Sequence, residues 1–232
     1  MLRTFRLGNR KAVLCVATQI GFDKPENQDS FEFKADASCL AVSVCDGLGS
    51  APSSAAGSKK AAELLAELLV SGCFDKFDFQ KKWLSFFPEQ PEQFNATAKF
   101  VSIRDDAIFY GGVGDGIIAI STGGHLTTCL AHGEFSNQTS CIYDIYYPTE
   151  FVEQSISMGK DAVIIISTDG FSEDIGDDGL MMLIDTARES MSTKEGAIEF
   201  EHSLSELLEN WPNKTNGDDK TVAFIYLEEV GR

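Results

Sequence analysis

The pattern of hydrophobic and polar residues predicts strands, two helices, a long run of strands, two more helices and a last strand. The clearest helix is predicted over residues 53–69, where Ala62, Leu65 and Leu69 fall on one face at helical spacing. Further helices are predicted at residues 79–87, 180–190 and 194–208. Apolar runs predict strands at residues 11–18, 30–34, 39–45, 97–104, 107–110, 116–121, 125–130, 161–167 and 221–227.

Tight turns separate the strands in the middle of the chain. Asp105-Asp106, Gly114-Asp115 and Gly123-Gly124 each lie between consecutive strands, which predicts an antiparallel meander. The order of elements favours a layered α+β domain, in which helices cover mainly antiparallel sheet. It does not fit a Rossmann fold, which needs regular alternation of strands and helices. The polar stretch 133–139 is predicted to be a loop, with a substrate-side flap as the alternative.

Length and composition predict a single domain spanning residues 1–232. Hydrophobic residues make up 43% of the chain, enough for a sizeable core. No apolar run reaches the roughly eighteen residues of a membrane span, and the N-terminus lacks the apolar segment of a signal peptide. None of the six cysteines forms a C-x-x-C pair, so we interpret them as reduced residues of a cytoplasmic protein.

The chain is strongly acidic, with 19 basic against 36 acidic residues and a net charge of −17. Nucleic acid is therefore excluded as an expected partner, because phosphate binding needs a basic surface. Most of these acids serve solubility. Some of them, however, lie where apolar strands end, and repulsion among them would be costly unless cations bind there.

Acids followed by glycine mark these strand ends. Asp46-Gly47, Asp115-Gly116 and Asp169-Gly170 show this pattern, Asp218-Asp219 precedes the last strand, and Asn27-Gln28-Asp29 precedes an early one. Glycine lets the backbone turn sharply and lets a ligand approach closely. Magnesium and manganese prefer carboxylate, carbonyl and water oxygens, so converging aspartates predict a site for either ion.

A single Asp-Gly pair is most often only a turn. We interpret Asp178-Gly179 in this way, and Asp115-Gly116 on its own also favours a hairpin turn. The prediction of a metal site therefore depends on the ordered set of acids.

The set resembles the motifs of the PPM family, the type-2C metal-dependent Ser/Thr protein phosphatases. The matching segments follow in family order: Asn27-Gln28-Asp29-Ser30, Val44-Cys45-Asp46-Gly47-Leu48-Gly49, Gly114-Asp115-Gly116, Ile166-Ser167-Thr168-Asp169-Gly170 and Gly217-Asp218-Asp219-Lys220-Thr221-Val222. They span nearly the whole chain. The chain is most similar to compact bacterial members, in which an Ala-rich helix follows the first Asp-Gly.

The resemblance implies a four-layer sandwich of two antiparallel sheets flanked by pairs of helices, with a binuclear Mg²⁺ or Mn²⁺ centre at one edge. Its implied metal ligands are Asp46 as the bridge, the Gly47 carbonyl, Asp169 and Asp218 on one metal, and Asp29 near the other through water. Lys24 lies where the family has an Arg that holds the substrate phosphate. Asp115 and Glu173 would match a third, weaker metal site.

The implied activity is hydrolysis of phosphoester bonds on phosphorylated proteins by a water that two metals activate, with no protein nucleophile. The phosphoprotein would be the substrate of a cognate Ser/Thr kinase, and a signalling role is expected for the monomer in the cytoplasm. The implied catalytic residues are Asp46, Asp169, Asp218 and Lys24.

The chain departs from the family pattern at four positions. Gln28 replaces a common Glu, Lys24 replaces Arg and loses the bidentate fork, Leu48 stands where many eukaryotic members have His, and Gly116 replaces Ser. The alternative function is therefore a pseudophosphatase, which keeps the fold as a regulatory binding module. Retention of Asp46, Asp169 and Asp218 favours the active enzyme.

Overall fold

Two antiparallel sheets form the centre of this protein in a computed structural model, which describes residues 1–22, 24–130, 139–144, 151–213 and 215–230. The described strands are β1 (Leu2–Leu7), β2 (Arg10–Gln19), β3 (Ser30–Ala35), β4 (Cys39–Cys45), β5 (Ala98–Arg104), β6 (Ala107–Val113), β7 (Ile117–Thr122), β8 (His125–Leu130), β9 (Val152–Ser157), β10 (Asp161–Ser167) and β11 (Lys220–Glu229). The first sheet has the order β1-β2-β11-β10-β7-β8, and the second has the order β3-β4-β5-β6-β9.

Helices cover the outer face of each sheet. Those described are α1 (Ser54–Val70), α2 (Lys76–Phe86), α3 (Asp169–Ser172), α4 (Asp177–Ser190) and α5 (Lys194–Glu209). Two begin with a side-chain cap: Asp75 accepts from backbone N–H groups at the start of α2, and Thr193 does so for α5. Such caps satisfy N–H groups that have no partner within the helix.

Three hydrophobic clusters separate the layers. One lies between the two sheets and contains aliphatic side chains from both, such as Val42 and Ile164. A second packs α4 and α5 on the first sheet, with Phe200 against Phe224. The third packs α1 and α2 on the second sheet around Trp83. The predicted four-layer α+β sandwich with antiparallel sheets is therefore confirmed.

Most predicted elements are confirmed within a few residues of their ends. Two edge strands were missed, β1 and β9. Both are short and largely exposed, with polar residues at many positions. Each strand is held by backbone hydrogen bonds to one neighbouring strand. Because its sequence has no strong apolar pattern, the strand could not be predicted from the sequence.

The predicted meander over residues 97–130 is wrong. Strands β5 and β6 pair in the second sheet, whereas β7 and β8 pair in the first, so the chain changes sheets between β6 and β7. The interpretation of Asp115-Gly116 as a hairpin turn fails with it. Gly114 and Gly116 have φ values of +92° and +99°, and a Cβ on Gly116 would lie 2.4 Å from the Ser167 carbonyl oxygen. Only glycine fits this crossing.

Three further predictions concern the cysteines, membrane spans and the loop at residues 133–139. The six cysteines carry thiols, and Cys15, Cys39 and Cys45 are buried. Within the described ranges, no helix is both long and apolar enough to cross a membrane. The loop prediction for residues 133–139 lies outside the described residues except at Thr139.

Candidate metal centre

Strand pairing in the first sheet brings three of the predicted acids to one edge. Ser167 of β10 pairs with Ile117 of β7 on one side and with Val222 of β11 on the other. Asp169 lies two residues after Ser167, Asp115 two residues before Ile117, and Asp218 four residues before Val222. Because the strands are antiparallel, the end of β10 meets the beginnings of β7 and β11. Three segments far apart in sequence therefore deliver carboxylates to the same place.

The second sheet adds two more acids at the same end. Ser30 of β3 pairs with Cys45 of β4, so Asp29 immediately precedes the pair and Asp46 immediately follows it. Thr168 joins the two sheets, because its hydroxyl donates to Asp29 Oδ2 at 2.8 Å and accepts from the Thr221 N–H. The acids for which the sequence predicts a metal centre thus lie where the two sheets meet.

Gly170 allows Asp169 and Asp218 to approach each other. A Cβ at this position would lie 2.0 Å from the Asp219 carbonyl oxygen and 3.2 Å from the Asp218 Cβ. The first contact is closer than any side-chain carbon can come. The glycine after the third acid is therefore required by the packing of the chain before β11, which also explains the Asp-Gly pattern here.

The carboxylates repel one another. Burial is the largest cause that raises the pKa of Asp46 well above its ordinary value, followed by the charges of Asp29, Asp169 and Asp218. Burial also raises the pKa of Asp29 to about 7, although hydrogen bonds from Thr168 and Thr221 oppose the shift. For Asp169, burial and then the charge of Asp218 raise the pKa. A neighbouring cation would relieve each of these costs.

The donor chemistry fits a hard divalent cation. Asp29, Asp46, Asp169 and Asp218 all offer carboxylate oxygens, which Mg²⁺ and Mn²⁺ prefer. Asp29 is only 7% exposed, yet its Oδ1 has no hydrogen-bond partner, which is an expensive state for a buried polar atom. No three His, Cys, Asp or Glu residues among those described are already closed around a metal position.

Lys24 lies inside this acidic group. Its ammonium contacts the Asp218 carboxylate and lies 3.1 Å from Asp219 Oδ2. Burial lowers the pKa of Lys24, but the hydrogen bonds and charges of Asp218 and Asp219 outweigh it, so the pKa is raised. The ammonium therefore stays charged beside these two acids.

Gly47 and Gln28 meet at the base of the centre. The Gly47 N–H donates to the Gln28 carbonyl at 3.1 Å. The Gln28 side chain turns to α1, where its amide donates to Ser54 Oγ at 2.8 Å. At the position of the family's common Glu, this chain thus has a neutral side chain that tethers a helix.

Asp115 and Glu173 lie near the other acids. The chain after Asp169 makes one helical turn, with the Glu173 N–H donating to the Asp169 carbonyl at 2.8 Å. Burial and then the charges of Asp169, Asp218 and Asp115 raise the pKa of Glu173. The Thr139 hydroxyl donates to Asp115. The helical turn on which the third-site prediction depended is confirmed.

The sequence reasoning missed two residues of this centre. Asp219 is 1% exposed and accepts from the Gly21 and Gln28 N–H groups as well as from Lys24, so it holds the loop that carries Lys24. Lys99 is 3% exposed and donates to the Gly114 carbonyl at 2.7 Å.

The sequence contained a feature that could have identified each of these two residues. Asp219 lies inside a motif quoted for its neighbour, and Lys99 is a lone charge in an apolar strand. Burial lowers the pKa of Lys99 to about 8, while the charges of Asp115 and Asp169 oppose the shift. Lys99 is therefore a buried, mostly positive group beside two of the acids at pH 7.

The chain belongs to the protein phosphatase 2C family, whose model matches residues 23–209. This confirms the resemblance drawn from the motifs. Asp218 lies beyond the matched range, so its place beside Asp169 rests on the structure. No curated protein sequence matches the chain.

Solved structures confirm the fold at low sequence identity. A structure of RsbX in complex with magnesium is 18% identical with a TM-score of 0.68, and the match covers 98% of this chain and 100% of that one. The catalytic domain of the serine/threonine phosphatase PstP, in complex with two manganese ions, is 16% identical with a TM-score of 0.64 and coverage of 94% and 99%. A serine/threonine phosphatase of S. agalactiae is 16% identical with a TM-score of 0.61 and coverage of 93% and 99%.

Proposed function

We propose that this chain is an active metal-dependent protein serine/threonine phosphatase that acts as a single domain. One observation carries the proposal: Asp29, Asp46, Asp169 and Asp218 come from both sheets to one edge, where burial and then the charges of the other three raise the pKa of Asp46 well above its ordinary value. Such repulsion among buried carboxylates is costly in a site without a cation. Family membership supplies the reaction class.

Asp46, Asp169 and Asp218 would hold two Mg²⁺ or Mn²⁺ ions, together with the Gly47 carbonyl and, through water, Asp29. When bound, these ions would supply hydroxide formation near neutral pH and neutralise the phosphate oxygens. RsbX and PstP, which share the fold, were solved with magnesium and with two manganese ions respectively. Those complexes support the choice of metal.

The remaining polar groups orient the substrate and the acids. Lys24 would bind the phosphate as a point charge, and Asp219 would fix the loop that carries it. Asp115 and Glu173 would hold a third cation weakly, because Lys99 already places positive charge beside Asp115. The substrate would be a phosphorylated protein, the product of a Ser/Thr kinase.

The test is hydrolysis of p-nitrophenyl phosphate by the purified full chain. Activity should require Mn²⁺ or Mg²⁺ and disappear in EDTA. Asp46→Asn should lower kcat by roughly a hundredfold or more, because it removes charge from the centre of the ligand set. Asp178→Asn is the matched control, since Asp178 is an exposed acid at the start of α4. Turnover that survives thorough chelation, or an unimpaired Asp46→Asn variant, would contradict the proposal.

The pseudophosphatase alternative has one observation in its favour. Lys24 contacts the Asp218 carboxylate directly, so its ammonium competes with a cation for that oxygen. The two functions separate in the same preparation. Mn²⁺ binding together with hydrolysis of the aryl phosphate and of a phosphothreonine peptide identifies the enzyme, whereas binding without any turnover identifies the regulatory module.

A further inference from the structure

Asp174 lies just past α3 on the protein surface, yet its carboxylate is fully engaged. Oδ2 accepts from the Trp211 indole N–H at 2.7 Å and from the Asn216 amide at 2.7 Å. Oδ1 accepts from the Asn213 amide at 2.6 Å. One carboxylate therefore gathers three side chains from the segment that precedes β11. Hydrogen bonds to a charged acceptor are stronger than neutral ones.

Asn216 connects Asp174 to the backbone beside Asp169 and to the backbone of Asp218. Its amide also donates to the Gly170 carbonyl at 3.0 Å, next to Asp169. Its Oδ1 accepts from the Asp218 backbone N–H at 3.2 Å. A single amide thus joins the helical turn that begins at Asp169 to the backbone of Asp218.

Lys220 holds the same segment from its other side. Its ammonium donates to the Asn216 carbonyl at 3.1 Å and to the Asp218 carbonyl at 2.9 Å. It also lies 5.5 Å from the centre of the Trp211 ring. Trp211 is 7% exposed and packs against Phe171 of α3 at 5.4 Å between ring centres. The segment is therefore fixed at both ends.

This arrangement matters because Asp218 itself lies on irregular backbone. Ordering a loop residue costs conformational entropy, and a ligand that must be ordered on binding weakens the affinity for a metal. Groups that orient metal ligands by hydrogen bonds reduce this cost. The contacts of Asp174 and Asn216 end on the two segments that carry Asp169 and Asp218. They also border an open pocket of about 510 Å³, lined by Lys24 and Asp218 among others.

We propose that Asp174 and Asn216 are positioning residues that hold Asp218 against Asp169, so that this pair is preorganised for a divalent cation. The inference rests on the proposed function in taking Asp169 and Asp218 as metal ligands. Neither positioning residue needs to touch metal or substrate. Their effect should therefore appear first in the affinity for metal.

The experiment measures Mn²⁺ affinity of the full chain by calorimetric titration. Asn216→Ala and Asp174→Ala should each raise the Mn²⁺ dissociation constant by roughly tenfold to a hundredfold, the usual effect of losing groups that orient ligands. Because the two residues act in one network, the double variant should lose less than the product of the single effects. Tryptophan emission, to which both Trp83 and Trp211 contribute, offers a second readout, and it should shift on Mn²⁺ addition in the wild type more than in Asn216→Ala.

The control variant is Asn210→Ala, at the end of α5, whose amide donates to the Glu206 carbonyl of its own helix. It should leave the Mn²⁺ dissociation constant unchanged. Melting curves in EDTA show whether each variant is folded, and Asp174→Asn serves as the milder change if Asp174→Ala is not. Folded variants that bind Mn²⁺ within twofold of the wild type would overturn this inference only. A wild-type protein that binds no Mn²⁺ would overturn the proposed function as well.

Discussion

At the scale of single residues, the aspartates of this site differ in burial and in hydrogen-bond partners, although they share one side chain. Asp29 is 7% exposed with one oxygen lacking a partner, whereas the Asp218 side chain is 42% exposed and contacts a lysine. Asp219, next in the chain, is fully buried and accepts three hydrogen bonds that hold the Lys24 loop. Of these two neighbouring aspartates, Asp218 is therefore a candidate metal ligand, and Asp219 holds the structure of the loop.

Lys24→Ala should raise KM for aryl phosphate more than it lowers kcat. The ammonium would bind the phosphate as a point charge, and a hydrogen bond to a charged group is worth about 1.5–3 kcal/mol, so KM should rise by roughly tenfold or more. Lys24→Arg should be tolerated or bind better. Steady-state kinetics check both variants, and a pure loss of kcat at constant KM would show that Lys24 acts only in the transition state.

Asp115→Asn should leave the two tight metals bound and lower kcat, by about tenfold to a thousandfold, the range for losing a charge-stabilising contribution. Asp105→Asn is a suitable control, because Asp105 lies in a true hairpin turn between β5 and β6 with φ of +52°. Bound metal, melting temperature and kcat are measured on each protein. Reduced stability with normal kcat in Asp115→Asn would remove the support for a third site.

At the scale of elements, the crossing from β6 to β7 sets the electrostatics of the Asp115 side of the site. The side chain of Lys99 runs from β5 beneath this crossing, and a Cβ on Gly116 would lie 3.0 Å from its Cε. Gly116 therefore leaves room for a buried lysine as well as for the turn. The crossing brings Asp115 to the end of the sandwich at which Lys99 of β5 lies.

Lys99→Met should lower the Mn²⁺ dissociation constant on the order of tenfold. A tenfold change corresponds to about 1.4 kcal/mol, the free energy of a shift of one pKa unit. The change removes a buried positive charge that repels a cation near Asp169 and keeps most of the side-chain volume. Lys81→Met, on the exposed face of α2, is the control for net charge. Mn²⁺ titration decides the point: equal affinities in both variants would mean that Lys99 exerts no field at the metal centre.

At the scale of the whole molecule, the site is the place where two sheets and their strand ends meet. The sheets pack through an aliphatic core, and polar contacts such as Thr168 to Asp29 join them at one end. The packing of this core supports a cluster of acids that repel one another. The stability of the protein should therefore depend on pH and on metal together.

Without metal, the free energy of unfolding should fall as pH rises from about 4 to about 7. The folded-state pKa values of Asp29, Asp46 and Asp169 are raised, so in this window the folded protein binds more protons than the unfolded chain. Stability falls with pH wherever the native state binds the excess protons. Asp46→Asn should flatten this dependence. Denaturant unfolding in EDTA across this range measures it, and identical slopes in both proteins would contradict the expectation.

Metal should reverse that loss at neutral pH. A ligand that binds only the folded state stabilises it by RT ln(1 + [L]/Kd), about 2.7 kcal/mol at a hundredfold excess over Kd. Melting temperature should therefore rise with the logarithm of free Mn²⁺. A melting curve that stays constant up to millimolar Mn²⁺ would argue against any metal site.

The sequence by itself determined most of the helices and strands, and the identity of most acids in the site. Helical spacing of apolar residues located α1, α4 and α5, and buried strands such as β4 and β10 were evident from continuous apolar runs. Acids at the ends of those strands indicated a metal centre, because local burial and turn chemistry are properties of neighbouring residues. The motifs in order were enough to indicate the family.

Only the tertiary structure decided which segments meet. The crossing at residues 114–116 and the pairing of Ser167 with both neighbours depend on register between distant strands, which no local pattern encodes. For the same reason, the roles of Lys99, Asp219 and Asn216 were hidden. Each acts on groups that lie close in space only after the sheets have packed, since hydrogen bonds and buried charges depend on the final neighbours of a residue.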